Sequence, residues 1–191
     1  MKVSDAIESR RSIRKFDSNV VSPENLTELV RLGRLYASAI NAQPIRFAIV
    51  QEKENKDLVF SSLNWAMRLK DFTIAPDERP ASYLLLCSDS NPGPFFEFDA
   101  GAAATTVMLA AREMQLETCV LKIARPEIIE KSLLPEGFRA VYAIALGKGK
   151  IKSEIVNQKD DPGYYLTENG DFRVPKKTTE SVLIFNDIKK G

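Results

Sequence analysis

Arg10, Arg11, Ser12 and Arg14 put three guanidinium groups and one hydroxyl into five consecutive residues. A guanidinium fork matches phosphate oxygens two at a time, and a serine hydroxyl adds a short hydrogen bond. The chemistry open to this cluster is the clamping of a phosphate. The same residues also suit a solvated helix end, where cations meet the negative end of the dipole. A second cluster runs from Ser38 through Ala39, Ile40, Asn41, Ala42 and Gln43 to Pro44. Its small residues let a flat ligand approach the backbone, while Asn41 and Gln43 offer donors and acceptors. Asn41 equally suits a left-handed residue that closes a helix. A third element, Val174, Pro175, Lys176 and Lys177, can set a cation on an anion or stay a solvated lysine pair.

What the chain lacks narrows the chemistry further. It has no histidine. That excludes Ser-His-Asp triads, Cys-His pairs and the common histidine metal sites. Catalysis must rest on carboxylates, lysines, a thiol, a hydroxyl or a borrowed cofactor. The 27 basic and 26 acidic residues leave a net charge of +1, so no broad positive field exists for a nucleic-acid backbone. No Gly-x-Gly-x-x-Gly run builds a dinucleotide site, and Gly147, Lys148 and Gly149 do not supply one. Two cysteines, Cys87 and Cys119, make neither a disulfide framework nor a four-cysteine zinc site, and both are expected reduced and buried. The longest apolar run, 100–111, is short of the about 20 residues a bilayer span needs. The first residues lack the apolar core of a signal peptide. The expectation is a cytoplasmic protein with no metal, nucleic-acid or membrane partner.

The elements that must position these residues follow from periodicity and punctuation. At 191 residues, 44% hydrophobic and 28% charged, the chain suits one globular domain, 1–191. A short helix is predicted over 3–11. Ser22 and Pro23 start a second, which apolar spacing carries to about 39. Strands are predicted over 46–51, 83–87, 117–123 and 140–146, with helices over 55–63, 95–115 and 126–133. The polar stretch 70–80 reads as an excursion or lid. The middle of the long helix is Ala, Gly, Thr, Val, Met and Leu on nearly all sides, so burial on nearly all faces is expected, with Ala103 against a partner copy. Residues 160–191 form a polar C-terminal extension with one apolar run, 182–185, expected to wrap another surface. Strands alternate with helices, which gives an α/β or α+β class.

In this order the pieces resemble the nitroreductase family of flavoproteins. Arg10, Arg11, Ser12, Arg14 and Phe16 look like its opening signature, and Ser38, Asn41, Gln43 and Pro44 like its Pro-Ser-x-x-Asn-x-Gln-Pro stretch. Asp99, Gly101 and the Ala-rich helix resemble its dimerisation helix, and Val174 to Lys177 its C-terminal basic element. The resemblance implies an α+β sandwich with a central, mostly antiparallel sheet flanked by helices, and an extension wrapping the partner subunit. It implies FMN, bound without a covalent link and shared between the subunits of a homodimer. Arg10, Arg11 and Ser12 would take the phosphate with Lys176 or Lys177, and Ser38, Asn41 and Gln43 the ribityl chain or ring edge. Leu121 and Lys122 would lie beside the ring, and Arg14 at its pyrimidine end as an electrostatic stabiliser. No residue need act as acid or base, because the flavin carries the chemistry from NAD(P)H to a nitroaromatic or quinone in ping-pong fashion. Three positions depart from the pattern: Ala37 for proline, Ile45 for a larger residue, and Lys122 for glycine. The alternatives are a non-catalytic phosphoanion-binding or interaction module, and a divergent flavoprotein with another oxidation role.

Overall fold

Leu84 and Leu86 pack to one side of a central strand and Tyr83, Leu85 and Cys87 to the other, and all five are buried. A strand apolar on both faces needs a layer of helices on each. The computed structural model describes residues 1–17, 19–89, 91–158 and 161–187. In chain order these hold α1 (Val3–Ser9), β1 (Phe16–Asp17), α2 (Pro23–Gly33), β2 (Arg46–Val50), α3 (Lys53–Ser61) and β3 (Ser82–Asp89). Next come α4 (Phe96–Glu113), β4 (Glu117–Lys122), α5 (Pro126–Leu133) and β5 (Phe138–Gly149). The tail adds β6 (Ser153–Asn157), β7 (Tyr165–Leu166), β8 (Phe172–Lys176) and α6 (Thr179–Val182).

The main sheet is antiparallel throughout. β3 lies between β2 and β5, and the far edge of β5 pairs with β4 and then with β1. That pairing makes the class α+β. One core holds Leu26 and Leu29 of α2, Ala103 and Val107 of α4, and Ile144 and Leu146 of β5. The opposite core holds Val59 of α3, Ile129 of α5, and Ala143 and Ala145 of β5. None of the helices among the described residues is long and apolar enough to cross a membrane.

Ser22 caps α2 by accepting the Asn25 N–H at 3.2 Å. The helix stops at Gly33, short of the expected 39, and its last residue packs closely. A Cβ on Gly33 would stand 2.7 Å from Val107 Cγ2 and 3.2 Å from Phe47 Cζ. The chain turns there, and the Tyr36 hydroxyl comes inward to accept the Ile45 N–H at 3.2 Å.

The 70–80 stretch is pinned down at its far end. Lys15 pairs with Glu78 at 2.8 Å, Lys150 with Asp77 at 3.0 Å, and Arg79 with Asp57 at 2.8 Å. The long helix also departs from expectation. Within one chain α4 buries Phe96, Asp99, Ala100, Ala103, Ala104, Val107 and Ala111, but leaves Phe98, Gly101 and Thr105 exposed. Ala103 is 0% exposed against α2, so it belongs to the chain's own core and not to a partner-facing stripe.

The tail is more structured than its polarity suggests. β6 and β8 pair in parallel and β7 joins β8 antiparallel. Asp161 receives Arg68 at 2.9 Å, and Phe172 meets Phe72 edge-on with centroids 5.6 Å apart. The inner part of the extension thus returns to its own chain. Its outer part leaves Val182, Leu183, Ile184 and Phe185 exposed. Asp160 and residues 188–191 lie outside the described residues.

Candidate functional site

Arg10 sits just beyond the end of α1. A short bridge between Ser12 and Thr118, with the Ile13 N–H donating to the Thr118 carbonyl at 2.9 Å, lays the segment along the edge of β4. The cluster then divides by role. The Arg11 guanidinium donates to the carbonyls of Arg10 and Glu8, closing the end of α1. Among the described residues the Arg10 guanidinium makes only a weak contact, Nη1 to the Met108 sulfur at 4.0 Å. The Ser12 hydroxyl has no hydrogen-bond partner among the described residues, although Ser12 is half-buried.

The electrostatics of this corner favour an anion. Burial first, and then the charge of Arg10, hold the Arg11 guanidinium below its ordinary value. Arg112 adds a third cation, donating to Ser9 at 3.0 Å and to Glu117 at 2.6 Å. Among the described residues, Glu117 is the carboxylate set against them. Burial pushes its carboxyl up while Arg112 and Arg11 pull it down. Three crowded guanidinium groups with one counter-charge suit a phosphate dianion.

Arg14 is placed differently. It donates to the Ser12 carbonyl at 3.3 Å, and its guanidinium lies 4.4 Å from the Tyr164 ring centroid and 5.1 Å from that of Phe172. These cation–π contacts hold the guanidinium in place. They were not foreseen, because both rings come from the tail, about 150 residues on. Burial pushes the Cys119 thiol up to about 11, and Arg14 and Arg10 act on it in the opposite sense, so both cations lie near β4. Cys87 is likewise buried, with its thiol pushed up to about 12. Both are inert buried thiols, as expected.

The second cluster forms a strained turn. Ile40, Asn41 and Gln43 have φ of 48°, 57° and 48°. Left-handed backbone is rare for a β-branched residue and costs on the order of 1–3 kcal/mol. The turn is kept by the Ser38 hydroxyl, which accepts the Gln43 N–H at 3.1 Å. Asp99, 1% exposed in the first turn of α4, accepts the Ala39 N–H at 2.9 Å. Asp99 therefore positions this turn, a role that its place beside the Ala-rich run of the helix does not reveal. As a result Ile40 is 91% exposed, and Asn41 and Gln43 are exposed beside it.

Helix α4 measures the separation of the two clusters. Arg10 touches Met108 and the 38–43 turn hangs from Asp99. Nine residues at ~1.5 Å rise put these anchors about 13 Å apart along the helix. Leu121 is buried and Lys122 exposed at the end of β4, where Lys122 lies opposite Tyr142. The Tyr142 hydroxyl donates to Glu97, and that bond, with burial, pushes the phenol up to about 12. Lys176 and Lys177 are exposed, and neither side chain is engaged by a hydrogen bond or ion pair among the described residues. No contact joins them to Arg10 or Ser12.

The sequence model of the nitroreductase family matches residues 7–148. A curated relative from Archaeoglobus fulgidus, named "Putative NADH dehydrogenase/NAD(P)H nitroreductase", is 24% identical over 163 residues, which cover 81% of this chain and 89% of that protein. A crystal structure of a protein with the same name from Parabacteroides distasonis superposes with a TM-score of 0.68 at 25% identity, covering 83% of this chain and 93% of the other. An FMN-dependent nitroreductase from Clostridium difficile shares the fold, with a TM-score of 0.67 at 21% identity over 82% of this chain and 92% of its own.

Proposed function

The chain belongs to the nitroreductase family of oxidoreductases, and we propose that it works through FMN shared between two copies of itself. One observation carries this reading: the anion corner at Arg10 and Ser12 and the strained turn at Asn41 are joined along α4 by an exposed stripe. A two-fold partner seated on that stripe, with Phe98, Gly101 and Thr105, would bring one cluster of each chain to the other cluster of its mate.

The residues fit the cofactor. Arg10 and Ser12 carry unspent donors, and Arg11 and Arg112 add charge behind them, so this corner would hold the phosphate. Asn41 and Gln43 of the partner subunit would meet the ribityl chain or ring edge, with Ser38 and Asp99 fixing their backbone. Arg14, steadied by Tyr164 and Phe172, would set positive charge near the pyrimidine end. Lys176 and Lys177 are free to add charge from the tail. Leu121 and Lys122 would border the ring, with Lys122 supplying a cation at the slot. Bound FMN would supply hydride transfer from NAD(P)H to an oxidised acceptor such as a nitroaromatic or a quinone. The protein's own part is to bind, orient and stabilise charge, which demands no histidine.

The test is direct. Purified protein should be yellow, release a ligand identified by mass spectrometry as FMN, and oxidise NAD(P)H steadily when a quinone is added. Colourless protein that does not take up added FMN overturns the proposal. A yellow protein without turnover would instead favour a flavoprotein with another role.

A further inference from the structure

A cavity of 220 Å³ lies on the α3 side of the sheet, away from α4. None of its residues belongs to the site described above. Lys53, Lys56, Asp57 and Phe60 line it from one face of α3, as spacings of three and four residues require. Arg79 and Tyr83 complete the polar lining.

Two donors at this cavity are left over. Tyr83 is 1% exposed, and its buried hydroxyl has no hydrogen-bond partner among the described residues. The buried Nε of Arg79 has none either. Buried polar groups are paired in the great majority of cases, so two orphans at one cavity call for an acceptor. Desolvation by burial pushes the phenol up, which keeps its proton in place for donation.

The rest of the lining specifies the acceptor. Arg79 is fixed by Asp57 at 2.8 Å and by the Phe60 ring, whose centroid lies 4.2 Å from the guanidinium carbon. Asp57 therefore accepts from Nη1 of Arg79 and leaves the Nε–H. Lys56 donates to the Ala81 carbonyl at 3.1 Å, and the Lys53 ammonium has no side-chain partner among the described residues. Lys53, Lys56 and Arg79 against Asp57 leave this lining two positive charges in excess. The Phe60 ring in this lining gives a bare inorganic phosphate nothing to pack against. Two separate donors, surplus positive charge and an aromatic wall instead match a monoanion with two acceptor oxygens and a carbon body. The volume is below the ~300 Å³ at which drug-sized sites begin, so the ligand is compact.

We propose that this cavity binds a small organic carboxylate, whose oxygens accept from the Tyr83 hydroxyl and the Arg79 Nε–H while its carbon body rests on Phe60.

The chain carries its own reporter. Trp65, its one tryptophan, stacks on Phe60 with centroids 5.5 Å apart. Benzoate titrated into the protein as purified should change Trp65 emission saturably, at one site per chain, and leave any flavin absorbance unchanged. Benzyl alcohol and inorganic phosphate should bind at least about tenfold more weakly, because one lacks the charge and the other the carbon body. Tyr83→Phe removes an unpaired hydroxyl, so its thermal midpoint should hold or rise while benzoate binding weakens by about tenfold. Lys53→Glu, at an exposed position, reverses a charge near the ligand and should also weaken benzoate by about tenfold. No saturable Trp65 response to benzoate overturns the site. So does a response seen in flavin absorbance alone. Phosphate or benzyl alcohol binding as tightly as benzoate overturns the ligand class. Unchanged benzoate affinity in Lys53→Glu, or in a folded Tyr83→Phe, overturns the assignment of donors.

Discussion

Gly101→Glu separates the fold of one chain from its assembly. Gly101 is exposed on α4, and a Cβ built there meets nothing within 4 Å. A glutamate therefore fits the isolated chain. It also replaces a poor helix former with a good one, a gain of about 0.5–1 kcal/mol. In the proposed two-fold dimer the same position is covered. Symmetry then buries two carboxylates per dimer. An unpaired buried charge costs about 3–5 kcal/mol, so the pair costs about 6–10 kcal/mol. At about 1.4 kcal/mol per tenfold, the dimer dissociation constant rises by four powers of ten or more. Light scattering and flavin absorbance recorded on one column, together with a thermal melt, read out all three quantities. The expected result is a colourless monomer that melts no lower than the free parent chain. Ala103→Glu is the contrast. Ala103 is 0% exposed within its own chain, so that variant should lose the fold itself. A dimeric Gly101→Glu, or a monomer that stays yellow, refutes the shared site.

Arg10→Ala should weaken FMN binding by roughly ten- to a hundredfold, since a charge-assisted bond contributes about 1.5–3 kcal/mol; flavin release measured by fluorescence checks this. Arg14→Gln should shift the midpoint potential of bound FMN downward with a smaller effect on occupancy, and an unshifted potential would place Arg14 away from the ring. Gly33→Ala puts a Cβ 2.7 Å from Val107 Cγ2. Overpacking of about 1–3 kcal/mol then outweighs a helix gain of about 1 kcal/mol, and the thermal midpoint should fall by a few degrees. The hydrogen bond from Lys15 holds the Glu78 carboxyl below its ordinary 4.5. The unfolded chain binds the proton more readily, so this stabilisation is complete above pH 4.5 and is lost as pH falls through the depressed value. Glu78→Gln should cost about 0.5–1 kcal/mol at neutral pH and converge with the parent in acid, as read by urea unfolding.

Legibility in the sequence tracked how local the cause was. The run Tyr83 to Cys87 announced a compact apolar strand, and Pro126 marked the start of α5 at the residue where it begins. Ser22 and Pro23 fixed the start of α2, but the close packing of its last residue on Val107 and Phe47 is something no local pattern reveals. The tail strands escaped because β8 contains Pro175 and charged residues, and β7 is two residues long. The anion cluster was visible as a composition. Its division into an Arg11 that closes a helix and an Arg10 with spare donors was not, because it depends on carbonyl positions. The Asp99 bond to Ala39 and the Tyr164 and Phe172 contacts to Arg14 join segments far apart in sequence.

The crowding at Arg10, Arg11 and Arg112 bears on how cofactor and assembly are linked in the proposed enzyme. A chain that holds one guanidinium below its ordinary value, through burial and a neighbouring cation, keeps unfavourable charge in its folded state. A phosphate dianion at that corner relieves it. The relief is available to the folded chain alone, so it adds to stability by mass action. The far end of the same ligand would lie against the strained turn of the partner subunit, where Ile40, Asn41 and Gln43 keep left-handed backbone at a cost. In the proposed dimer, contacts that repay this strain would form only when both chains are present. Flavin binding and dimer formation should therefore strengthen each other, and dilution of the apoprotein should dissociate it at concentrations where the flavin-loaded protein stays paired.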